Sequence, residues 1–238
     1  ICPASPRAGA AWHAELLVRM YSGDGRIVPP RDFLTAAERY HLMPAIDRWV
    51  LLNAFEAMSQ GERQIPEHLG GCAINLSGQS LGDEKFLGDV LAMFDATGAD
   101  PARVCFEITE TAVIGNLSHA RQFIDVLRTH GCRFALDDFG SGLSSFSYLK
   151  TLPVDYLKID GSFVGGMLQD ENDYTMVRSI HQIGHVMGIL TVAEFVEDQA
   201  ILAAVKAIGV DYAQGYAIGR PRPISAIASD RRLRASGA

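Results

Sequence analysis

The sequence lacks the features that mark several large classes of protein. None of its 238 residues falls in an uncharged apolar run of the roughly 18 residues that a membrane-spanning helix requires. The four cysteines are widely separated, form no C-x-x-C pair and do not cluster with histidine, so neither a disulfide scaffold nor a zinc knuckle is expected. These absences predict a cytoplasmic domain with no direct membrane insertion, although a segment outside this sequence can tether the full-length protein.

Basic residues are also scarce. The chain has 21 Lys and Arg against 28 Asp and Glu, which gives a formal net charge of −7. Long nucleic acid is therefore not expected as a partner, because its phosphates require a basic surface. No repeat, low-complexity stretch or long linker divides the sequence, and 48% hydrophobic residues are typical of a packed globular protein. Residues 1–238 are predicted to form a single domain.

Short apolar, β-branched runs alternate with longer stretches whose apolar residues recur three and four positions apart. The first pattern is typical of strands and the second of amphipathic helices, so their alternation predicts an α/β fold. The predicted strands span residues 14–20, 72–76, 104–109, 133–137, 156–159, 189–193 and 212–214. The predicted helices span residues 31–42, 45–59, 82–97, 117–129, 174–187 and 198–208.

Nearly every predicted strand carries a charged or amide residue within it or at its C-terminal end. These residues are Asn75, Glu107, Asp137, Asp138, Lys158, Glu194 and Gln214. In a closed α/β barrel the C-terminal ends of the strands converge on one face, which is where the active site lies. An open doubly wound sheet is the alternative, but it would concentrate its ligand groups at one switch point. The distribution therefore favours a barrel with a centre of several carboxylates.

The first predicted strand adds another acid, because alternation places Glu15, Leu17 and Arg19 on one face and apolar residues on the helix-facing side. Carboxylates that share a pocket repel one another, and divalent cations relieve that repulsion. Oxygen ligands without Cys or His favour Mg²⁺ or Mn²⁺. Two-metal sites with a bridging carboxylate typically hydrolyse phosphoesters. Taken singly, each acid is explained at least as well as a surface or capping residue, but the same placement recurs on five strands.

Seven motifs occur along the chain in a fixed order. They are E-L-L-V-R at 15–19, I-N-L-S at 74–77, E-I-T-E at 107–110, L-D-D-F-G-S-G-L-S-S at 136–145, L-K-I-D at 157–160, A-E-F-V-E at 193–197, and Q-G-Y at 214–216 with R-P at 220–221. In this order they resemble the motifs of the EAL domain family, bacterial phosphodiesterases of cyclic di-GMP. The resemblance implies a variant (β/α)8 TIM-like barrel whose first strand runs antiparallel to the others.

The resemblance also implies two Mg²⁺ or Mn²⁺ ions per site. By position, Glu15, Asn75, Glu107 and Asp137 correspond to the ligands of one ion, while Asp137 bridges to a second ion near Asp138 and Glu194. Glu194 matches the family's proposed general base, and Lys158 matches the lysine that contacts the attacking water and the phosphate. Arg19, Gln214, Glu197 and Phe33 match groups near the substrate. Glu110 matches the glutamate that steadies the loop 138–148, which in the family links the second metal to the dimer interface.

Two departures from the family pattern bear on these expectations. The family usually opens with a Tyr-x-Gln-Pro-Ile segment, whereas this sequence opens with Ile1, Cys2 and Pro3, so the first strand is expected to be truncated. Phe195 stands where many members have glycine, which adds bulk beside Glu194. A fragment of a longer signalling protein with sensor or GGDEF domains is expected, and a homodimer.

The sequence leaves three functions to compare. The first is metal-dependent hydrolysis of cyclic di-GMP to linear 5′-pGpG by a water activated at two metals. The second is a catalytically silent domain that only binds cyclic di-GMP. It ranks lower because none of the proposed acids is substituted. The third is an unrelated barrel enzyme that cleaves another phosphoester.

Overall fold

The computed structural model describes residues 1–4, 13–59, 65, 69–142 and 147–227. The strands of this described part are β1 (Cys2–Pro3), β2 (His13–Leu16), β3 (Met20–Tyr21), β4 (Ile27–Val28), β5 (Gly71–Leu76), β6 (Val104–Thr109), β7 (Arg133–Phe139), β8 (Tyr156–Ile159), β9 (Leu190–Ala193) and β10 (Tyr212–Ala213). Eight of them form one sheet in the order β1-β10-β9-β8-β7-β6-β5-β2. Strand β1 is antiparallel to β10, and the other neighbours in this sheet are parallel.

The two edges of this sheet meet at residues 1 and 13. The amide nitrogen of His13 donates to the carbonyl of Ile1 at 3.1 Å, and the amino group of Ile1 donates to the carbonyl of His13 at 3.0 Å. The predicted barrel with an antiparallel first strand is therefore confirmed. That first strand, β1, is two residues long.

The helices of the described residues are α1 (Pro30–Arg39), α2 (Met43–Ser59), α3 (Gly78–Leu81), α4 (Phe86–Thr97), α5 (Glu110–Gly115), α6 (Leu117–Thr129), α7 (Gly161–Gly166), α8 (Glu171–Met187), α9 (Gln199–Ile208) and α10 (Ile224–Ile227). All six predicted helices are present as α1, α2, α4, α6, α8 and α9. The predictions missed the four short helices, because one or two turns do not establish a helical period. None of the described helices has both the length and the hydrophobicity needed to cross a bilayer.

Local capping explains where the long helices begin and end. The side chain of Asp198 accepts from the amides of Ala200 and Ile201 and so starts α9, while Asp170 accepts from the amide of Asn172 at the start of α8. Gly188 and Gly209 end these two helices in the left-handed conformation, with φ of 73° and 96°. These caps orient each helix against the barrel strand that follows it.

Side chains of the parallel strands alternate between two environments. Those that point outward are fully buried between the sheet and the helices: Ile74, Phe106, Leu136 and Leu157. On β5, β6 and β7 those that point inward are small and form a separate cluster inside the barrel: Ala73, Cys105 and Ala135, with Tyr156 of β8 against them. The small inward residues leave room in the barrel for the longer polar side chains that follow them.

One predicted strand is wrong over half its length. Residues 14–20 were predicted as a single strand, but β2 ends at Leu16, and Met20 belongs instead to β3, which pairs with β4 in a separate two-stranded sheet. The alternation of side chains also stops. Met20, predicted on the helix-facing side, is 39% exposed, and Leu17, predicted on the face of Glu15, is 44% exposed. An apolar pattern does not reveal where a chain leaves one sheet for another.

Candidate active site

The polar residues at the strand ends lie inside the top of the barrel. Each follows an inward-facing residue by two positions: Asn75 follows Ala73, Glu107 follows Cys105, Asp137 follows Ala135, Lys158 follows Tyr156, Glu194 follows Val192 and Gln214 follows Tyr212. Because side chains alternate along a strand, both members of each pair face the barrel axis. The parallel strands end on the same side, so the polar members meet at one opening.

Lys158 occupies the centre of this group. Its Nζ lies 2.7 Å from Glu107 Oε2, 3.0 Å from Asp137 Oδ1 and 2.8 Å from Glu194 Oε1. Lys158 and Glu107 are 1% and 2% exposed. The lysine therefore joins carboxylates from three different strands in a site that bulk water reaches only from the rim.

Glu15 anchors the other side of the opening. Its Oε1 accepts from Asn75 Nδ2 at 2.7 Å, and its Oε2 accepts a short hydrogen bond from Gln214 Nε2. These contacts connect β2 with β5 and with the end of β10. The structure thus gathers eight of the predicted residues at one place: Glu15, Asn75, Glu107, Asp137, Asp138, Lys158, Glu194 and Gln214.

Burial and mutual repulsion set the protonation behaviour of these groups. Burial raises the pKa of Glu107 to about 8 and that of Glu194 to about 7, against the opposing attraction of Lys158. For Glu15, burial acts in the same direction, but Lys158 and the hydrogen bonds from Asn75 and Gln214 outweigh it and lower the pKa. The lysine itself shows the reverse balance: burial would lower the pKa of Lys158, and the surrounding carboxylates raise it well above its usual range.

Three carboxylates meet the distance requirement for a shared cation. Ligand oxygens of Asp137, Asp138 and Glu194 all lie within 4.8 Å of one another, the one such group of His, Cys, Asp and Glu among the residues that the structure describes. Asp138 has a φ of 53°, and its amide donates to Asp137 Oδ1 at 3.0 Å. This donor set of carboxylate oxygens fits a hard divalent ion, and Asp138 at the exposed rim leaves a route for one to enter.

The loop after β7 is tied to the site through Glu110, at the start of α5. Glu110 Oε2 accepts from the amide of Gly140 at 3.1 Å, and its Oε1 accepts from the hydroxyl of Tyr148 at 2.7 Å. Both contacts lie on the loop 138–148, although residues 143–146 of that loop fall outside the described residues. A buried carboxylate thus holds the two described ends of the segment that continues from Asp138.

Comparison with known proteins assigns the chain to a family. A sequence profile of the family described as the EAL domain matches residues 3–221. This chain belongs to the EAL domain family. The membership predicted from the seven motifs is therefore confirmed.

Two curated relatives and one solved structure indicate how close the likeness is. Cyclic di-GMP phosphodiesterase PdeB of Shewanella oneidensis is 46% identical over 211 residues, which are 89% of this EAL domain chain and 24% of PdeB. Cyclic di-GMP phosphodiesterase PdeF of Escherichia coli is 35% identical over 222 residues, 93% of this chain and 29% of PdeF. The FimX EAL domain from Pseudomonas aeruginosa, bound to c-di-GMP, matches with a TM-score of 0.84 and 31% identity over 93% of this chain and 88% of that one. The chain thus spans about a quarter of the length of its curated relatives.

The other three predicted residues of this EAL domain are Arg19, Glu197 and Phe33. Arg19 is half-buried, donates from Nη1 to the carbonyl of Val18 at 2.9 Å, and lines a cleft of about 980 Å³ together with Glu15 and Gln214. Glu197 is exposed and takes no part in the hydrogen bonds of the group among the described residues. Phe33 is half-buried on α1.

The sequence analysis did not propose a role for one acid near the cluster of Asp137, Asp138 and Glu194. Asp160 directly follows β8, caps α7 by accepting from the amide of Ser162 at 2.8 Å, and adds to the negative charge around Asp138. After burial and Asp137, it is the next contributor to the raised pKa of Asp138. The same strand-end criterion that selected the other acids would have found it.

Proposed function

We propose that this chain is a metal-dependent phosphodiesterase that hydrolyses cyclic di-GMP to linear 5′-pGpG. The observation that carries the proposal is the approach of Asp137, Asp138 and Glu194 to within 4.8 Å of one another beside Lys158. The names of PdeB and PdeF, and the c-di-GMP bound to FimX, support the substrate. The intact set of acids favours turnover over a domain that only binds the nucleotide.

The ions we propose are two Mg²⁺ or Mn²⁺. Asp137, Asp138 and Glu194 would hold one, and Glu15, Asn75 and Glu107 would join Asp137 around the other. When bound, such a pair activates water and stabilises the charge on the attacking and leaving oxygens of an in-line displacement. Asp137 would serve both ion sites, since its strand β7 lies between β6 and β8.

The chain's own residues transfer the proton and bind the phosphates. Glu194, at the rim of the barrel, accepts a proton from the attacking water, whose oxygen forms the new bond to phosphorus. The bond from phosphorus to the 3′ oxygen breaks, and a proton returns to that oxygen, so one phosphodiester of the ring stays intact in pGpG. Lys158 places a positive charge where negative charge develops on the phosphate. The planar fork of Arg19 suits a second phosphate.

The wider setting is part of the same proposal. Residues 1–238 act as one EAL phosphodiesterase domain of a longer signalling protein with sensor or GGDEF domains. That protein functions in the cytoplasm and is a homodimer. Glu110 holds the two described ends of the loop 138–148, and we propose that this loop connects the site to the dimer contact.

The decisive experiment compares the unaltered chain with Glu194→Gln, using cyclic di-GMP and either Mg²⁺ or Mn²⁺, with pGpG separated by chromatography. We expect pGpG from the unaltered chain and a rate at least about 100-fold lower from the variant, because a positioned general base contributes roughly 10²–10⁴-fold. Glu56→Gln, an exposed position on α2, is the matched control and keeps the full rate. A parent chain that binds cyclic di-GMP but releases no pGpG with either ion would contradict the proposal.

A further inference from the structure

Asp47 is a buried acid on α2 that the proposed reaction does not use. Its side chain is 5% exposed, and within the described part of the chain no lysine, arginine or histidine forms an ion pair with it. The guanidinium of the next residue, Arg48, binds Asp83 and Asp89 instead, at 2.6 Å each. Burial raises the pKa of Asp47, and the hydrogen bonds to its carboxyl group oppose that rise. A buried acid without a cation is held by its hydrogen bonds, and their donors show which part of the fold it supports.

Both donors to Asp47 follow the end of β5. Oδ2 of Asp47 accepts from the amide of Ser77 at 2.9 Å and from the hydroxyl of Ser80 at 2.6 Å. Ser77 also caps α3, since its Oγ accepts from the amide of Ser80 at 3.2 Å. One carboxylate oxygen therefore fixes the point at which β5 ends and α3 begins.

Strand β5 is paired on one side only where it carries its functional residue. Its ladder with β2 ends at Ile74, whereas its ladder with β6 continues to Leu76. The side chain of Asn75 reaches β2 through its amide, which donates to Glu15 Oε1 at 2.7 Å. Ser77 is the first residue beyond both ladders, and its amide is the one that the acid of α2 binds.

We propose that Asp47 is a positioning residue of the active site. It fixes the end of β5 and thereby holds the amide of Asn75 against the carboxylate of Glu15. The inference rests on the proposed function, in which these two side chains are ligands of one ion. Loss of an outer residue that orients a metal ligand typically lowers metal affinity by about 10- to 100-fold. Asp47 acts through the backbone, so we expect the lower end of that range.

The test pairs two buried acids that make similar contacts. Asp47→Ala removes the acceptor, and Asp47→Asn keeps an oxygen in its place. The matched control is Asp211→Ala, because Asp211 Oδ2 accepts from the amide of Thr191 at 2.9 Å and from its hydroxyl at 3.0 Å. Thr191 lies near the start of β9, and the two residues between it and Glu194 are paired on both sides. The control therefore removes a comparable contact away from the site.

Three measurements compare these variants: thermal midpoints, calorimetric binding of Mn²⁺, and the side-chain amide signal of Asn75 by ¹H–¹⁵N NMR in chelator. We expect both alanine variants to lower the midpoint by about 2–10 °C, because each leaves buried donors without an acceptor. Asp47→Ala alone should raise the Kd of a Mn²⁺ binding step by about 10-fold and shift the Asn75 signal. Asp47→Asn should stay within about 2-fold of the parent, since its amide oxygen can accept from the same donors.

Three results would overturn the inference. They are equal rises in Kd for the two alanine variants, a Kd that Asp47→Ala leaves unchanged, and an Asn75 signal that Asp47→Ala does not shift. The first would assign Asp47 to general stability. A parent chain that binds no Mn²⁺ would end the proposed function alone, because the Asn75 signal is recorded without metal and still decides whether Asp47 holds that side chain in place.

Discussion

Lys158 is the residue on which the metal-free site depends. Its ammonium group meets Glu107, Asp137 and Glu194 at hydrogen-bonding or ion-pair distance in the interior of the barrel. Moving a charge out of water costs several kcal/mol per ion, and the cost is recovered only when every charge finds good partners. One cation does not offset the burial and mutual repulsion of three carboxyl groups, since the pKa values of Glu107 and Glu194 stay raised. Binding of a further cation is therefore expected to reduce the repulsion among these carboxyl groups.

Replacing Lys158 by methionine tests this balance. We expect Lys158→Met to lower the free energy of unfolding by about 3–5 kcal/mol in chelator, because it leaves buried carboxylates without their cation. Adding Mg²⁺ should recover part of the loss. Urea denaturation at pH 7 measures both effects, and Lys150→Met, at an exposed lysine, should stay within about 0.5 kcal/mol of the parent. A Lys158→Met chain as stable as the parent in chelator would contradict the balance described.

At the scale of elements, a close backbone contact joins the ends of β9 and β10. A Cβ atom on Gly215 would lie 2.3 Å from the carbonyl oxygen and 2.4 Å from the amide nitrogen of Val196. This approach allows the amide of Val196 to donate to Gln214. The contact thereby fixes the spacing between the strand end that carries Glu194 and the one that carries Gln214.

Gly215→Ala should separate these two strand ends. We expect a loss of about 3 kcal/mol in unfolding free energy, the upper part of the usual range for overpacking, because backbone rather than a flexible side chain is in the way. Gly219→Ala in the same segment is the control, since nothing lies within 4 Å of its Cβ position. Thermal denaturation followed by circular dichroism compares the two. Equal midpoints would mean that the contact does not constrain the strands.

At the scale of the whole molecule, the proposed metal site can form only when the barrel is closed. Asp137 and Asp138 lie on β7 and Glu194 follows β9, so the unfolded chain does not present all three together. An ion that binds only the folded state stabilises it by RT ln(1 + [L]/Kd). That amounts to about 2.7 kcal/mol at 100 times Kd. The net charge of −7 works in the same direction, because cations reduce the overall repulsion.

Metal binding should therefore appear as thermal stability independently of turnover. We expect the midpoint to rise by about 5 °C or more at saturating Mn²⁺ or Mg²⁺ for a domain of this size, and to return on chelation. Asp138→Asn should reduce the rise while leaving the midpoint in chelator near that of the parent, since Asp138 is exposed at the rim. The same midpoint with and without the ions would exclude a folded-state metal site.

Periodicity explains which parts of this fold were predictable. Helices α2, α6 and α8 and strands β5, β6 and β7 are long enough for a period of 3.6 or 2 to appear, and all were predicted. Strand β1 and the hairpin of β3 and β4 consist of two-residue strands, which carry no period. The same limit led to the incorrect extension of β2 beyond Leu16, because apolar residues continue where the backbone has already left the sheet.

The sequence by itself determined the α/β class, the order of the motifs, the family and the set of acids at the strand ends, because each depends on residues close together in the chain. Only the tertiary structure decided that Lys158 joins Glu107, Asp137 and Glu194, and that Asp47 binds the amide of Ser77. Those contacts connect strands and helices that are distant in sequence. Their distances follow from barrel closure and strand register, which no local pattern records.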